Sequence, residues 1–278
     1  DDGTLPKPDR LFLFSPAVGI NKLAALADVL QAFAFIPGLQ KSRWSEIFPE
    51  YDPFKYTSFP LHAAEQSHEV SQRLHRELGE ARAAGRLKAL PPVLTFQSAA
   101  DATVLVEDTV GVLYSQLPTG GHELVLFDVN RLGQFREFFA AFPRDFATGL
   151  ERSSPRTYGL TVVTNRDAAS SQVVARRREA DGDVAFEELG AEWPAGVYSL
   201  SHVAVPFRPD DPLYGIAPPG AGHRYHLGNL ILRGEKGLLT TPVEGLMRLR
   251  CNPFFGYLER RIGDAMRRDL AAPVAPSP

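Results

Sequence analysis

The stretch PPVLTFQSAADATV, residues 91–104, decides how this chain folds. Its apolar run VLTF, residues 93–96, predicts a short buried strand, which the small residues after it bring to an end before Asp101. A pattern of helical period follows at once, over residues 104–114. In open α/β sheets, strand-to-helix turns of this kind hold side chains above the carboxyl edge of the sheet, where ligands bind. Asp101 is therefore a candidate functional carboxylate, and a helix N-cap is the alternative interpretation.

The same alternation of strand and helix extends to both sides of this stretch. The run LFLF at residues 11–14 is apolar on both faces, and an amphipathic helical pattern covers residues 62–86. A further strand, HELVLFDVN, covers residues 122–130, and a helical pattern follows at residues 133–142. Such alternation predicts right-handed crossovers and a parallel sheet, so the expected fold class is α/β. Because a strand that is apolar on both faces belongs inside a covered sheet, we expect residues 11–14 to have another neighbour, from a segment that precedes this chain.

Beyond residue 142 the pattern changes to strands separated by turns. These strands are predicted to form an elaboration after the main sheet, antiparallel at its edge, at residues 158–165, 171–178 and 197–207. The chain is thus predicted to divide into a core with a cap insertion, a strand-rich extension and a disordered tail, at residues 1–142 (cap 21–60), 143–270 and 271–278.

Composition excludes several classes of function. The chain has 278 residues, of which 44% are hydrophobic and 23% charged, and its formal net charge of −3 argues against a nucleic-acid partner. Its single cysteine, Cys251, excludes an internal disulfide framework and a cysteine-based zinc cluster. No run approaches the roughly 18 apolar residues of a membrane-spanning helix. The amino terminus, DDGTLPKPDR, has neither an initiator Met nor a signal-peptide pattern, so we expect a longer protein of undetermined compartment.

A proline-rich, aromatic stretch precedes the long helix. Residues 41–60, KSRWSEIFPEYDPFKYTSFP, are too irregular for a helix and too apolar for an exposed linker. An insertion of this composition between strands suits a cap over an apolar pocket. The candidate substrate-binding residues of this cap are aromatic: Phe33, Phe35, Trp44 and Phe48. In the alternative interpretation these side chains only cover the sheet.

A histidine downstream of Asp101 completes part of a catalytic arrangement. His202 lies among small and apolar residues in SLSHVAVPF. A Ser-His-acid hydrolase needs a serine nucleophile, a histidine base and an acid that holds the imidazole in its productive tautomer. In α/β-hydrolases the chain order is serine, acid, histidine, and Asp101 followed by His202 agrees with the last two positions.

The chain resembles the C-terminal portion of an α/β-hydrolase of the serine esterase, lipase and lysophospholipase type. The segments that carry the resemblance span most of residues 11–215 and are LFLFSPAVG, PEYDPFKYTSFP, PPVLTFQSAADATV, GHELVLFDVN and SLSHVAVPFRPDDPLYG. The resemblance implies that Asp101 is the acid of a catalytic triad and that His202 is its general base. It also implies hydrolysis of a small-molecule or lipid carboxylic ester. We expect no cofactor and no metal.

The nucleophile of that family is missing from the sequence. No Gly-x-Ser-x-Gly motif occurs, and in the resembled fold the nucleophile precedes the strand that begins here at Leu11. We therefore expect the serine and the oxyanion hole upstream of Asp1, and expect this chain to be inactive by itself. Ser15 is rejected as a substitute because SPAVG lacks the glycine geometry of a nucleophile elbow. The alternative function is that of a non-catalytic, hydrolase-like binding or scaffold protein for an apolar ligand.

Other polar residues have less demanding interpretations. Asp128, which ends a predicted strand, is the reserve for the acid. His223 and His226 have a spacing that suits a metal, but no third ligand accompanies them in their glycine-rich loop. His122 is interpreted as structural, and His75 as a solvated side chain on the outer face of the long helix.

Overall fold

The centre of the protein is a mostly parallel β-sheet covered by helices. The computed structural model describes residues 6–19, 44–139, 141–153, 155–180, 182–217, 226–228 and 247–271, and the structural statements below concern these residues. In chain order the strands are β1 (Leu11–Phe14), β2 (Trp44–Glu46), β3 (Phe59–Pro60), β4 (Val93–Ser98), β5 (Glu123–Phe127), β6 (Gly159–Asn165), β7 (Gln172–Arg178) and β8 (Val184–Glu192).

Six of these strands form the central sheet in the order β1-β4-β5-β6-β7-β8. The first four are parallel to one another, and β7 and β8 continue the sheet in antiparallel fashion. The register aligns Phe14 with Phe96, Ser98 with Phe127, and Phe127 with Val163. The carboxyl ends of β1, β4, β5 and β6 therefore meet along one edge of the sheet, which is the edge where α/β proteins bind ligands.

Helices cover the sheet on both faces. They are α1 (Leu61–Ala83), α2 (Val106–Asp108, continued as a π-helix at Thr109–Tyr114), α3 (Ala141–Arg152) and α4 (Phe255–Ala271), with 3₁₀ turns at Arg86–Ala89 and Gly133–Phe138. Alternation along each strand sends successive side chains to opposite faces. On β5, Leu124 packs on the face that α1, α2 and α3 cover, whereas Val125 packs on the face that α4 and residues 193–205 cover.

The predicted α/β class is confirmed at the level of a parallel sheet with helices. Five of the predicted strands reappear within one or two residues of their expected starts, and the runs VLTF and LVLF among them are buried between two helical layers. One predicted relationship changes. β6 does not belong to a later elaboration, since it pairs parallel to β5 as a member of the main sheet.

One prediction about strands is wrong, and one strand was not predicted. Residues 197–207 form no strand but an irregular stretch followed by turns, and the carbonyl oxygens of Val197 and Leu200 accept hydrogen bonds from side chains at the sheet edge. The strand β8 was not predicted, since its exposed sequence VAFEELGAE has no apolar alternation. It is held by pairing with β7 and by ion pairs from Arg166 to Glu188 and from Arg260 to Glu187.

The proline-rich stretch forms a small structure of its own. Residues 44–60, here called the aromatic segment, begin and end in the antiparallel pair β2 and β3. Glu50 closes the segment, because its carboxylate accepts hydrogen bonds from the backbone N–H groups of Thr57 at 2.7 Å and Ser58 at 3.0 Å. Asp52 similarly accepts the N–H of Phe54 at 3.1 Å. These bonds give an irregular sequence a defined shape directly before α1.

Candidate functional site

Asp101 lies in a tight turn directly after β4. Its Oδ1 accepts the backbone N–H groups of Thr103 at 3.0 Å and Val104 at 2.9 Å, so residues 99–104, the acid turn, close around the carboxylate. The side chain is fully buried, and within the described chain its Oδ2 has no hydrogen-bond partner. The N-cap interpretation holds in part, since Asp101 accepts N–H bonds as a cap does, although α2 begins only at Val106.

His202 lies beside this carboxylate. Its Nδ1 is 3.5 Å from Asp101 Oδ1, and its side chain is 22% exposed. That separation is within reach of an ion pair and longer than a formed N–H···O hydrogen bond, and catalytic contacts in ligand-free structures are commonly this loose. Within the described residues, no group makes a hydrogen bond to the other ring nitrogen, Nε2. The imidazole thus has a carboxylate on one side and an open, partly exposed nitrogen on the other.

Hydrogen bonds from the ends of β4 and β5 hold the residues that lead to His202 along the carboxyl edge of the sheet. The Ser98 hydroxyl donates to the carbonyl oxygen of Leu200 at 2.9 Å, directly above the end of β4. Beyond the end of β5, the Asn130 side-chain amide donates to the carbonyl oxygen of Val197 at 2.9 Å, and its backbone N–H donates to that of Tyr198 at 2.8 Å. The chain before His202 therefore crosses from β5 to β4, where Asp101 lies.

The segment at residues 247–252 supports the other side of the histidine. The Ser201 hydroxyl donates to the carbonyl oxygen of Leu249 at 2.5 Å. The side-chain amide of Asn252 donates to the carbonyl oxygen of Val205 at 3.2 Å. Residues 201–207, here called the histidine turn, are thereby held by the C-terminal region, while the sheet edge holds the residues directly before them.

Asp128, the reserve acid, is fully engaged elsewhere. Its side chain is fully buried, and Arg131 donates to both of its oxygens, at 2.9 Å for Nη2 and Oδ1. The Thr164 hydroxyl donates to Oδ2 at 2.8 Å, and the backbone N–H of Val129 donates to Oδ1 at 2.9 Å. With both oxygens occupied, Asp128 joins the ends of β5 and β6 and is not available to an imidazole.

Ser15 differs from what its sequence context predicts. It follows β1 with a backbone φ of 43°, in the left-handed region that non-glycine residues rarely adopt. Its hydroxyl is buried and has no hydrogen-bond partner among the described residues, so it does not contact His202 in this conformation. The sequence carries no signal for this geometry, because a serine is not the residue that a left-handed position normally selects.

Three further histidines have structural contacts. His122 is buried, its Nδ1 accepts the N–H of Val93 at 3.1 Å, and burial lowers the pKa of its imidazole. His75 is partly buried, not solvated as predicted, because its Nε2 lies 2.6 Å from the carbonyl oxygen of Val18. His226 Nε2 lies 3.0 Å from the carbonyl oxygen of Gly215.

The predicted pocket residues divide into two groups. Phe33 and Phe35 lie outside the described residues, as does His223. Trp44 is 41% exposed at the start of β2, and Phe48 is partly buried with its backbone N–H bonded to the Ser58 hydroxyl at 3.1 Å. The structure thus describes two of the four aromatic candidates, both in the aromatic segment.

Sequence reasoning missed the residues that hold the site together. Ser98, Asn130 and Asn252 each bond the backbone of the chain near His202. The available signal for the first two was their position at the ends of predicted strands, where polar side chains gather. Asn252, which also accepts the Phe254 N–H at 2.9 Å before α4, had only the signal of a helix cap.

Comparison of the chain with protein-family models, with curated proteins and with solved structures finds no match. The fold and the site therefore define the protein as an α/β protein with a carboxylate and an imidazole paired at the carboxyl edge of its parallel sheet. Among the helices that the structure describes, none is both long and apolar enough to cross a membrane. The described part of the chain likewise contains no group of three or more His, Cys, Asp and Glu side chains suited to a metal ion.

Proposed function

We propose that the intact protein is a carboxylic ester hydrolase of the lipase or lysophospholipase type, with Asp101 and His202 as two members of a Ser-His-Asp triad. The observation that carries the proposal is the 3.5 Å separation between Asp101 Oδ1 and His202 Nδ1 at the carboxyl edge of the parallel sheet. A buried carboxylate next to Nδ1 keeps the proton on that nitrogen and leaves Nε2 as the basic atom.

In the proposed reaction His202 transfers one proton in each of two steps, first from the serine to the leaving alcohol and then from water to the serine oxygen. Its Nε2 takes the proton of the serine hydroxyl as the serine oxygen bonds to the ester carbonyl carbon. The resulting imidazolium gives that proton to the leaving alcohol when the carbon–oxygen bond breaks. Water then repeats the sequence on the acyl-enzyme and releases the carboxylic acid. Asp101 orients the ring and stabilises the imidazolium throughout, and backbone N–H groups stabilise the oxyanion.

The serine of this triad is proposed to come from a segment upstream of Asp1. Two observations support this origin. Nε2 of His202 has no hydroxyl or thiol partner within the described residues. The strand β1 is the outermost strand of the described sheet, although its side chains are apolar on both faces, so a further parallel strand suits its open edge. A turn at the end of such a strand would lie on the same edge as His202.

An apolar acyl group is the substrate that the surroundings favour. The aromatic segment exposes four large aromatic side chains, which are Trp44, Phe54, Tyr56 and Phe59. Such exposed apolar groups mark binding surfaces more often than single exposed side chains do. Hydrolysis is therefore expected to be faster for esters of long acyl chains than for acetate esters.

A fluorophosphonate probe tests the proposal in the full-length protein. The probe should label one serine, and His202→Ala should reduce the labelling rate by about three orders of magnitude or more, because the serine loses its base. The matched control is His62→Ala, since the His62 side chain is 71% exposed on α1 and pairs with Glu65. Equal labelling of the two variants would overturn the triad.

The same probe separates the proposal from a non-catalytic binding protein. A binding protein would give no labelling in the full-length form, and the residues encoded before Asp1 would lack Gly-x-Ser-x-Gly. The 278-residue chain by itself should also remain unlabelled. Labelling of this chain that disappears in Ser15→Ala would move the nucleophile to Ser15, whose φ of 43° is the one elbow-like feature in its surroundings.

A further inference from the structure

A buried carboxylate in the aromatic segment joins distant parts of the chain. The side chain of Asp52 is fully buried, and the hydroxyl of Tyr214 lies 2.8 Å from its Oδ1 and 3.0 Å from its Oδ2. Arg250 donates from Nη1 to Oδ2 at 3.3 Å across 198 residues of sequence. A buried carboxylate is unfavourable unless it is paired in this way, so the contact depends on all three side chains.

Arg250 extends the contact to a second residue of the aromatic segment. The Arg250 side chain is 4% exposed, and its Nη2 donates to the Tyr51 hydroxyl at 2.9 Å. The guanidinium carbon also lies 5.5 Å from the centre of the Tyr51 ring, which is a cation–π distance. Arg250 therefore holds both Tyr51 and Asp52.

The residues on either side of Arg250 hold the histidine turn. Leu249 accepts the hydrogen bond from Ser201, and Asn252 donates through its side chain to Val205. The backbone N–H of Asn252 also donates to the carbonyl oxygen of Phe207 at 2.8 Å. The chain on either side of Arg250 is thus bonded to both ends of the turn that contains His202.

Tyr214 gives a second route between the same two regions. Its ring lies 4.7 Å from the ring of Phe207, the last residue of the histidine turn. Asp211 Oδ1 accepts the N–H groups of Leu213 at 2.9 Å and Tyr214 at 2.7 Å, which fixes the loop that presents the hydroxyl. Asp52 therefore contacts Arg250, whose chain neighbours bond the histidine turn, and Tyr214, whose ring packs on the last residue of that turn.

We propose that Asp52 is a positioning residue that couples the docking of the aromatic segment to the placement of His202 beside Asp101. The effect of this coupling on catalysis rests on the proposed function. Its effect on the order of the histidine turn does not. When the aromatic segment is docked, the histidine turn is held at its productive position. When the segment is released, Arg250 and Tyr214 lose their shared acceptor and the turn loosens.

The local charges explain why this carboxylate matters. Lys55 and Arg248 are the other cations beside Arg250, and burial together with the charge of Arg250 lowers the pKa of Lys55. Asp52 is the carboxylate that offsets these charges within the segment, while Asp211 lies near Tyr214 in the same loop as that tyrosine. Neutralising Asp52 therefore leaves cations facing one another across the contact, which favours separation of the two sides.

Hydrogen–deuterium exchange on the 278-residue chain tests the coupling without any activity. Asp52→Asn should speed exchange at least about tenfold both in residues 47–59 and in residues 201–207, and leave the amides of β4 and β5 unchanged. The control is Glu50→Gln, which removes the charge and one of the two oxygens that accept the N–H groups of Thr57 and Ser58, and which lies in the same segment without a hydrogen bond or ion pair to Arg250 in the described structure. That variant should speed exchange in residues 47–59 only.

Two results would overturn the coupling. The first is faster exchange of residues 47–59 in Asp52→Asn with an unchanged histidine turn. The second is an equal response of the turn to Glu50→Gln. If Asp52→Asn does not fold, Tyr214→Phe takes its place, since it removes one donor and leaves the pair of Asp52 with Arg250. Its effect should be smaller but confined to the same two segments.

Kinetics in the full-length protein test the catalytic meaning separately. Asp52→Asn should lower kcat by about tenfold to a hundredfold, because an imidazole misplaced by about an ångström loses that much, and should change KM little. Coupled exchange with unchanged kcat would refute the positioning role and leave the triad intact. Coupled exchange in a protein that hydrolyses no ester would refute the proposed function and leave the coupling intact.

Discussion

The hydroxyl of Ser98 donates a hydrogen bond to the carbonyl oxygen of Leu200 at 2.9 Å, across 102 residues of sequence. Ser98 is the last residue of β4, three positions before Asp101, and Leu200 lies two positions before His202. Ser98 also accepts the N–H of Ala100 at 3.2 Å, so one fully buried side chain shapes the acid turn and fixes the approach of the histidine. Ser98 thereby links the end of β4 and the acid turn to the residues that lead to the histidine.

Replacing the proposed acid tests the tautomer argument directly. In the full-length protein, Asp101→Asn should lower kcat for ester hydrolysis by about four orders of magnitude, because an asparagine amide at this position favours the wrong imidazole tautomer. Initial rates with a chromogenic ester provide the measurement. The control is Asp210→Asn, an exposed carboxylate bound to Arg208. Activity of Asp101→Asn within tenfold of wild type would rule the assignment out.

Asp128 should behave as a structural residue. Asp128→Asn should reduce the free energy of unfolding by about 3 kcal/mol, because it leaves Arg131 without the charge that its guanidinium contacts at the end of β5. Urea denaturation of the 278-residue chain measures the loss. At temperatures where the full-length variant is folded, its turnover should stay within tenfold of wild type. A loss of turnover matching that of Asp101→Asn would make Asp128 the acid after all.

The single cysteine should report unfolding. Burial raises the pKa of the Cys251 thiol to about 11, and its residue is fully buried. At pH 8 a disulfide reagent should react with it at least about a thousandfold more slowly than in urea, since reaction requires opening of the fold. Fast reaction in the folded chain would contradict this packing.

The same thiol predicts a pH dependence at alkaline pH. Its pKa is higher in the folded chain than in the unfolded chain, where the pKa of a thiol is about 8.5. Its contribution to stability is therefore complete below about pH 8.5 and is lost as the pH rises towards 11. Cys251→Ser should remove this part of the decline in the free energy of unfolding, and an unchanged pH profile would contradict the assignment.

Glu50 should keep the aromatic segment closed in mild acid. Hydrogen bonds from the backbone N–H groups of Thr57 and Ser58 lower the pKa of Glu50 to about 2. Because this pKa lies below that of an ordinary glutamate, the stabilisation by these contacts is complete above the ordinary pKa. It is lost as the pH falls through about 2. The amide proton shifts of Thr57 and Ser58, followed by NMR, should show that midpoint. An inflection near pH 4.3 would indicate an open segment, and Glu50→Gln should show none.

Much of the fold was predictable because burial on both faces leaves a strong pattern. The runs LFLF, VLTF and LVLF within β1, β4 and β5 are short and mostly apolar, so their sequence predicts strands of a covered sheet. The stretch around His202 is wrongly predicted to be a strand, because its apolar residues follow no strand period. Ala204 and Val205 are both buried in succession, so its apolar residues face one core from a series of turns. An irregular stretch can bury two consecutive side chains in one core, whereas a strand sends consecutive side chains to opposite faces.

The sequence by itself predicted the parallel sheet and, through the resemblance to α/β-hydrolases, Asp101 and His202 as acid and base of one triad, because apolar periodicity and strand ends are visible among neighbouring residues. Only the tertiary structure decided that these two side chains lie 3.5 Å apart, that Asp128 is occupied by Arg131, and that Asp52 binds Arg250. Most of these contacts join residues that are distant in sequence, and the others depend on which of several donors reaches a carboxylate. Their partners are chosen by the register of strands and the path of loops, which no local pattern specifies.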